Sequence, residues 1–273
     1  MDDEFVTYLK GKLSEGIITS FDNIDLLLWG ARDQNSVKLL GITLTVGLVN
    51  LNWIANKIIL LENKISRIVL IASKLSQKCR IKFVVIFYSL SDEPFFLITD
   101  HNVNPTDLRK LKRVDEKQMP SVIQHLFNTE FGSHGTGKQV NKTTSDWFHE
   151  WSRANLPTEY VKANIDGLLL NEKDEPEIVL ETKRSFSDAS GWSPYYADAR
   201  NYHFEGLLAK IAEIEFWTVY HKKGELINDS SNVALFAITD TALTGADWLK
   251  YERFNIKAKE VLDIIRTKQK EKR

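Results

Sequence analysis

The chain has 273 residues, 43% of them hydrophobic and 27% charged, with 36 Lys and Arg against 37 Asp and Glu for a formal net charge of −1. That composition belongs to a soluble globular protein of one large or two small domains and excludes a chain that grips nucleic acid by bulk positive charge, so any such contact needs a locally basic face. Its one cysteine, Cys79, excludes an intrachain disulfide and a cysteine-built zinc site, which fits a reducing, cytoplasmic setting; the acidic start M-D-D-E also lacks the positive charge of a secretory signal.

In chain order, the pattern predicts an opening helix over Met1 to Leu13, strands over Ile17 to Trp29 and Val37 to Val46, and a long helix over Asn52 to Leu75. The apolar run Leu39 to Ala55 is short for a span and is interrupted by Asn50 and Asn52, so no membrane segment is expected. Strands follow over Ile81 to Leu90 and Phe95 to Asp100, then a helix over Val114 to Phe127 with Pro120 early in it. The polar tract N-T-E-F-G-S-H-G-T-G-K-Q-V-N-K-T-T-S reads as a linker. Within it Gly132 to Lys138 fits G-x-x-x-x-G-K, but Gln139 stands where a phosphate-binding loop needs Ser or Thr and the flanks are not strand and helix, so no nucleotide is expected. A capped helix over Ser145 to Ala154 carries Glu150; a blurred strand over Tyr160 to Ala163 runs into strands over Ile165 to Leu170 and Ile178 to Ser185. A loop with Trp192, Tyr195 and Tyr196, a helix over Pro194 to Ile214, and strands over Glu215 to Tyr220 and Val233 to Thr239 complete the reading.

The two halves repeat each other. Ile98-Thr99-Asp100 matches Ile238-Thr239-Asp240, and Asp107, Lys110 and Arg113 match Asp247, Lys250 and Arg253, all at one offset; Asn23-Ile24-Asp25 and three leucines match Asn164-Ile165-Asp166 and three leucines at an offset one residue greater. Ordered agreement in distant stretches is the signature of duplicated units. The expected division is a first copy at residues 1–130, a linker at 131–144 and a second copy at 145–273.

The second copy holds the chemistry. Asp166 stands on one strand, and Glu181 and Lys183, one residue apart on the next, send their side chains to one face. Two carboxylates converging from neighbouring strands suit a hard divalent cation, and a lysine beside them supplies a compact positive charge, which is equipment for metal-assisted hydrolysis of a phosphodiester. These residues resemble the PD-(D/E)XK nuclease superfamily: Asp166 matches the first carboxylate and Glu181-Thr182-Lys183 the E-x-K element, with Ile165 where the family name has Pro. The resemblance implies an α/β fold of two tandem restriction-endonuclease-like units, each a mixed central sheet flanked by helices, the first degenerate because it keeps Asp25 but has Gly41 and Thr43 near the places of Glu181 and Lys183.

It further implies a DNA endonuclease using Mg²⁺, with Mn²⁺ able to substitute: Asp166 and Glu181 as metal ligands, Lys183 orienting the water, and Glu150, or else Glu159, as an assisting carboxylate. Double-stranded DNA is the expected partner and a homodimer the expected assembly. Cleavage of foreign DNA in a restriction system is the leading expectation; a repair or junction nuclease, a non-catalytic nucleic-acid-binding module, and RNA as substrate stay open. Asp198 to Tyr202 (D-A-R-N-Y) is similar to the Gln-x-x-x-Tyr helix motif of RecB-like nucleases except that Asp198 replaces the glutamine, so no role is assigned to it. Arg184, on the opposite face from Lys183, is at most a phosphate contact, and Trp192 is expected to pack beneath its loop.

Overall fold

The computed structural model describes residues 3–19, 24–33, 36–48, 51–89, 95–100, 111–131 and 147–271. In chain order the elements are α1 (Glu4–Leu13), β1 (Ile17–Thr19), β2 (Ile24–Asp33), β3 (Ser36–Leu48), α2 (Leu51–Cys79), β4 (Lys82–Ser89), β5 (Phe95–Asp100), β6 (Lys112–Asp115), α3 (Met119–Phe127), α4 (Trp147–Asn155), β7 (Tyr160–Asn164), β8 (Gly167–Leu170), β9 (Pro176–Ser185), α5 (Ala199–Ala212), β10 (Glu215–Lys222), β11 (Asn232–Thr241), β12 (Leu249–Lys257) and α6 (Ala258–Glu271). The phosphate-loop look-alike at Gly132 to Lys138, and Asp107 and Lys110 of the repeat, lie outside the described residues.

The protein is a mixed α/β structure with two six-stranded sheets, ordered β1-β8-β9-β10-β11-β12 and β7-β2-β3-β4-β5-β6. In the first, β9 and β10 are parallel and every other pair is antiparallel; in the second, β3 and β4 are parallel and the rest antiparallel. A parallel pair needs a crossover, and in each sheet a helix supplies it: α5 between β9 and β10, α2 between β3 and β4. The two sheets therefore agree strand for strand, and β5 and β11, which carry the Ile-Thr-Asp repeat, occupy the same position.

The boundary between the units is not where the sequence reading drew it. The compact units are a terminal one, Met1–Phe21 with Ile165–Arg273, and a central one, Asp22–Asn164. Each half of the chain has lent its opening helix and strand to the other. Backbone pairing gives the physical reason: β1 ladders onto β8, with Ile17 opposite Leu169, and β7 ladders onto β2, with Ala163 opposite Leu28. Side chains follow the same exchange. Phe5 and Leu9 of α1 join Leu180, Trp217, Val261 and Ile265 in the core of the terminal unit, while Phe148 and Trp151 of α4 join Trp29, Phe96 and Phe127 in that of the central unit.

Local differences have local causes. The expected strand over Ile17 to Trp29 is two strands in different sheets, and the expected helix from Val114 begins only at Met119, because Val114 pairs with Phe96 as part of β6 and Pro120 sits in the first turn, where its missing N–H costs nothing. Pro176 begins β9 instead of lying in the turn; the turn is shaped by Asn171, whose Oδ1 accepts from the backbone N of Lys173 and Glu175 at 2.9 and 3.0 Å. The helix expected from Pro194 starts at Ala199, after a 3-10 turn at Tyr196–Asp198, and ends on Glu213 in a left-handed conformation whose N–H caps the last turn. The run Leu39 to Ala55 divides between β3 and the start of α2, and among the described residues no helix is long and apolar enough to cross a membrane.

Candidate metal centre

Two strands of the terminal unit bring the motif together. In the antiparallel pair of β8 and β9, Gly167 faces Leu180, so Asp166, one residue earlier, comes level with Glu181. Ile178 and Leu180 turn into the core beneath α1 and α6; alternation sends Glu181 and Lys183 to the opposite face, where α5 packs on β9, β10 and β11. Lys183 Nζ lies 2.7 Å from Glu181 Oε1 and 3.6 Å from Asp198 Oδ2, and 5.9 Å from the centre of the Tyr202 ring. Asp166 Oδ2 accepts hydrogen bonds from Thr182 N at 2.8 Å and Thr182 Oγ1 at 2.9 Å. Asp166, Glu181 and Lys183 thus form one cluster.

Its electrostatics are those of crowded acids. Burial, and then the Asp166 charge, push the Glu181 carboxyl up to about 8. Burial also raises Asp166, although the Thr182 N–H and the Lys183 charge partly offset it. For Lys183, burial works against the charge, but the carboxylates of Glu181 and Asp198 outweigh it and hold the ammonium above its ordinary value.

The remaining expectations divide. Glu150 is exposed on α4 and Glu159 lies in the turn before β7, where its backbone O accepts from Arg32 N at 2.7 Å; both belong to the central unit, and neither takes part in the cluster within the terminal unit. The helix that docks beneath the cluster's own sheet is α1, so the carboxylate expected from Glu150 has moved away with the exchanged segment. Asp198 and Tyr202, set aside in the sequence, both reach Lys183. Sequence reasoning missed Glu205, 1% exposed on α5; the i, i+4, i+7 spacing of Asp198, Tyr202 and Glu205 was the signal for it. Trp192 packs as expected, stacked on Tyr220 at 4.4 Å.

The matching place in the central unit is apolar. Counting from the first paired residues, Ile178 with Glu215 and Gly41 with Lys82, the counterparts of Glu181 and Lys183 are Leu44 and Val46, each 1% exposed. Gly41 and Thr43 are not the counterparts: a Cβ on Gly41 would meet Phe127 of α3 at 2.6 Å, and Thr43 accepts from Trp29 Nε1 at 2.8 Å, so both face the helix-covered core. The central unit therefore lacks the acid and lysine.

On the other face of the cluster's sheet, the start of α1 is latched down. Asp3 caps the helix, accepting from Phe5 N and Val6 N at 2.9 and 3.2 Å, and its Oδ2 lies 2.9 Å from Nε2 of the fully buried His221. Arg184 pairs with Glu4 and lies 3.9 Å from Asp3, which answers the suggestion that it contacts phosphate. Asp3, Glu4 and His221 come close enough to hold a metal, but their atoms are engaged with one another and with Arg184, which already supplies positive charge. Burial opposes the His221 charge, yet the hydrogen bond and charge of Asp3 raise its pKa above 6.5; burial likewise opposes ionisation of Asp3, yet His221 brings its pKa below 3.8. The latch accordingly stabilises most between about pH 4 and 6.5, fading upward as His221 loses its proton and downward as Asp3 gains one. Asp3→Asn keeps the cap oxygen and removes the charge. It should cost roughly 1.5–3 kcal/mol near pH 5.5, at about 2–4 °C of melting temperature per kcal/mol, and progressively less toward pH 9. A penalty that does not vary with pH contradicts this account.

No family model matches the chain, and no curated protein does. Among solved structures, a sex pheromone staph-cAM373 precursor aligns over 92% of this chain and 89% of its own at 7% identity and a TM-score of 0.20. The C-terminal domain of the sex pheromone staph-cAM373 precursor from Staphylococcus aureus aligns over 80% and 65% at 8% identity and a TM-score of 0.15. At these scores neither likeness bears on fold or function.

Proposed function

We propose that the protein is a divalent-metal-dependent endonuclease that hydrolyses DNA phosphodiester bonds, built as two tandem restriction-endonuclease-like units of which only the terminal one is active. The observation that carries this reading is the meeting of Asp166, Glu181 and Lys183 on one face of adjacent strands, with the ammonium 2.7 Å from the glutamate. The strand order with its single parallel pair and crossover helix supports it. The donor set fits a hard cation: Asp166 and Glu181 are buried carboxylates, each disfavouring the other's charge, with Lys183 as the positive group beside them. Asp166 and Glu181 would hold Mg²⁺, or Mn²⁺ in its place; bound there, the ion lowers the pKa of a water and polarises the phosphoryl group.

The chain's own residues do the rest. Thr182 fixes the Asp166 carboxylate through two hydrogen bonds. Lys183, its ammonium held charged by Glu181 and Asp198, orients the attacking water and neutralises charge that builds on the phosphorane oxygens. Because the central unit has Leu44 and Val46 in place of acid and lysine, each chain offers one such centre, and cutting both strands requires a twofold-related pair of chains. A restriction or other anti-foreign-DNA role is the setting this chemistry suits best.

The test is conversion of supercoiled plasmid to the nicked or linear form by the purified chain with Mg²⁺, stopped by EDTA. Plasmid left intact in both Mg²⁺ and Mn²⁺, yet retarded on a gel, would make the protein a non-catalytic binding module.

A further inference from the structure

We infer that Glu205 is a third acidic ligand of the cation site, supplied from α5 and standing in for the carboxylate that the exchanged helix does not provide; the assignment rests on the nuclease reading above. Glu205 is 1% exposed and its Oε2 has no hydrogen-bond partner. A buried carboxylate left without a partner is costly, and such a group calls for an explanation.

The surroundings supply one. The charges acting on Glu205 are those of Glu181, Asp166 and Asp198, all acids, and of Lys183. Lys183 is already engaged by Glu181 at 2.7 Å and Asp198 at 3.6 Å. One ammonium thus faces four carboxyl groups, an imbalance that a further positive charge relieves. Two more buried oxygens on the same patch lack partners, the hydroxyls of Tyr202 and Thr218. Tyr202 precedes Glu205 on the α5 stripe, and Thr218 is the register partner of Glu181 on β10, so its side chain emerges on the same face of the sheet. A pocket whose unanswered atoms are all oxygens, with acids in excess, matches a hard divalent cation. A merely structural role gives no reason for Glu where Gln or Met of similar volume would remove the repulsion.

Isothermal titration of the full chain with Mn²⁺, alongside melting curves with and without the ion, tests this. Wild type should bind, Asp166→Ala should not, and Glu205→Gln should bind about ten- to hundredfold more weakly. Metal-free Glu205→Gln should melt above metal-free wild type, since a buried unpaired acid is gone, and should gain less on adding Mn²⁺. Glu205→Met, an apolar side chain of similar size, should behave alike and serves the comparison if the glutamine variant does not fold. Mn²⁺ binding by wild type and Glu205→Gln with equal affinity overturns the assignment of Glu205 alone, even where the variant melts lower. Absence of Mn²⁺ binding by wild type overturns the cation site as a whole.

Discussion

Lys183→Ala should abolish plasmid cleavage while leaving the fold and DNA binding nearly intact. Lys183 is half-buried at the open side of the cluster, with a side-chain exposure of 21%, so its removal opens no cavity in the core. It does remove the group placed to meet negative charge in the transition state, and losing one such preorganised contact costs about a hundred- to a thousandfold in rate. Two effects add to that. Without the ammonium, Glu181 and Asp166 face each other with less compensation, which raises their pKa values further and disfavours the ionised pair the metal needs. Asp198 also loses its partner at 3.6 Å. A loss of at least a hundredfold in nicking rate at saturating Mg²⁺, with melting temperature within a few degrees of wild type, is the expected result. Equal rates in the two proteins would remove Lys183 from the chemistry.

The second large effect concerns folding. A fragment of residues 145–273, the copy the sequence delimits, should not fold, because it lacks α1 and β1. Phe5 and Leu9 are fully buried and Ile17 and Ile18 are 7% and 6% exposed; at about 1.5–3 kcal/mol for each buried apolar side chain, their loss removes roughly 6–12 kcal/mol from a domain whose whole stability is about 5–15 kcal/mol. It also strips β8 of its edge partner, leaving unpaired backbone groups. The same fragment carries Phe148, Trp151, Val161 and Ala163, apolar residues whose core belongs to the central unit. Joining residues 3–19 through a short linker to the front of 165–271 restores α1 and β1 and omits α4 and β7, and that chain should melt cooperatively. Circular dichroism decides the matter. A cooperative transition for 145–273 close to that of the full chain would show that the exchange is not needed for stability.

What was legible in the sequence was whatever depends on near neighbours along the chain. Asp166, Glu181 and Lys183 sit on consecutive strands joined by a short turn, so alternation alone predicted their shared face, and the cluster has the expected members. Glu205 was hidden because its link to Glu181 runs through the packing of α5 on β9, and nothing in the spacing of a single helix says which strand it will cover. The exchange of α1 and β1 was equally illegible: Ile17 finds its partner at Leu169, and the apolar pattern of a strand records that it needs a neighbour without recording which. β12 escaped notice because Leu249–Lys257 is largely exposed at a sheet edge, and its charged residues mask the alternation that identifies a strand. The duplication was read correctly in outline from the Ile-Thr-Asp pair, since both copies lie on equivalent strands; the apolar counterparts Leu44 and Val46 could be assigned only once register was known.

The most direct test of the central claim is an anomalous difference map from a crystal of the protein soaked in Mn²⁺. The account predicts a peak between the carboxylates of Asp166 and Glu181, on the α5 face of the sheet and beside Lys183. A map with no peak there, or with its one strong peak among Asp3, Glu4 and His221 on the opposite face, would contradict it.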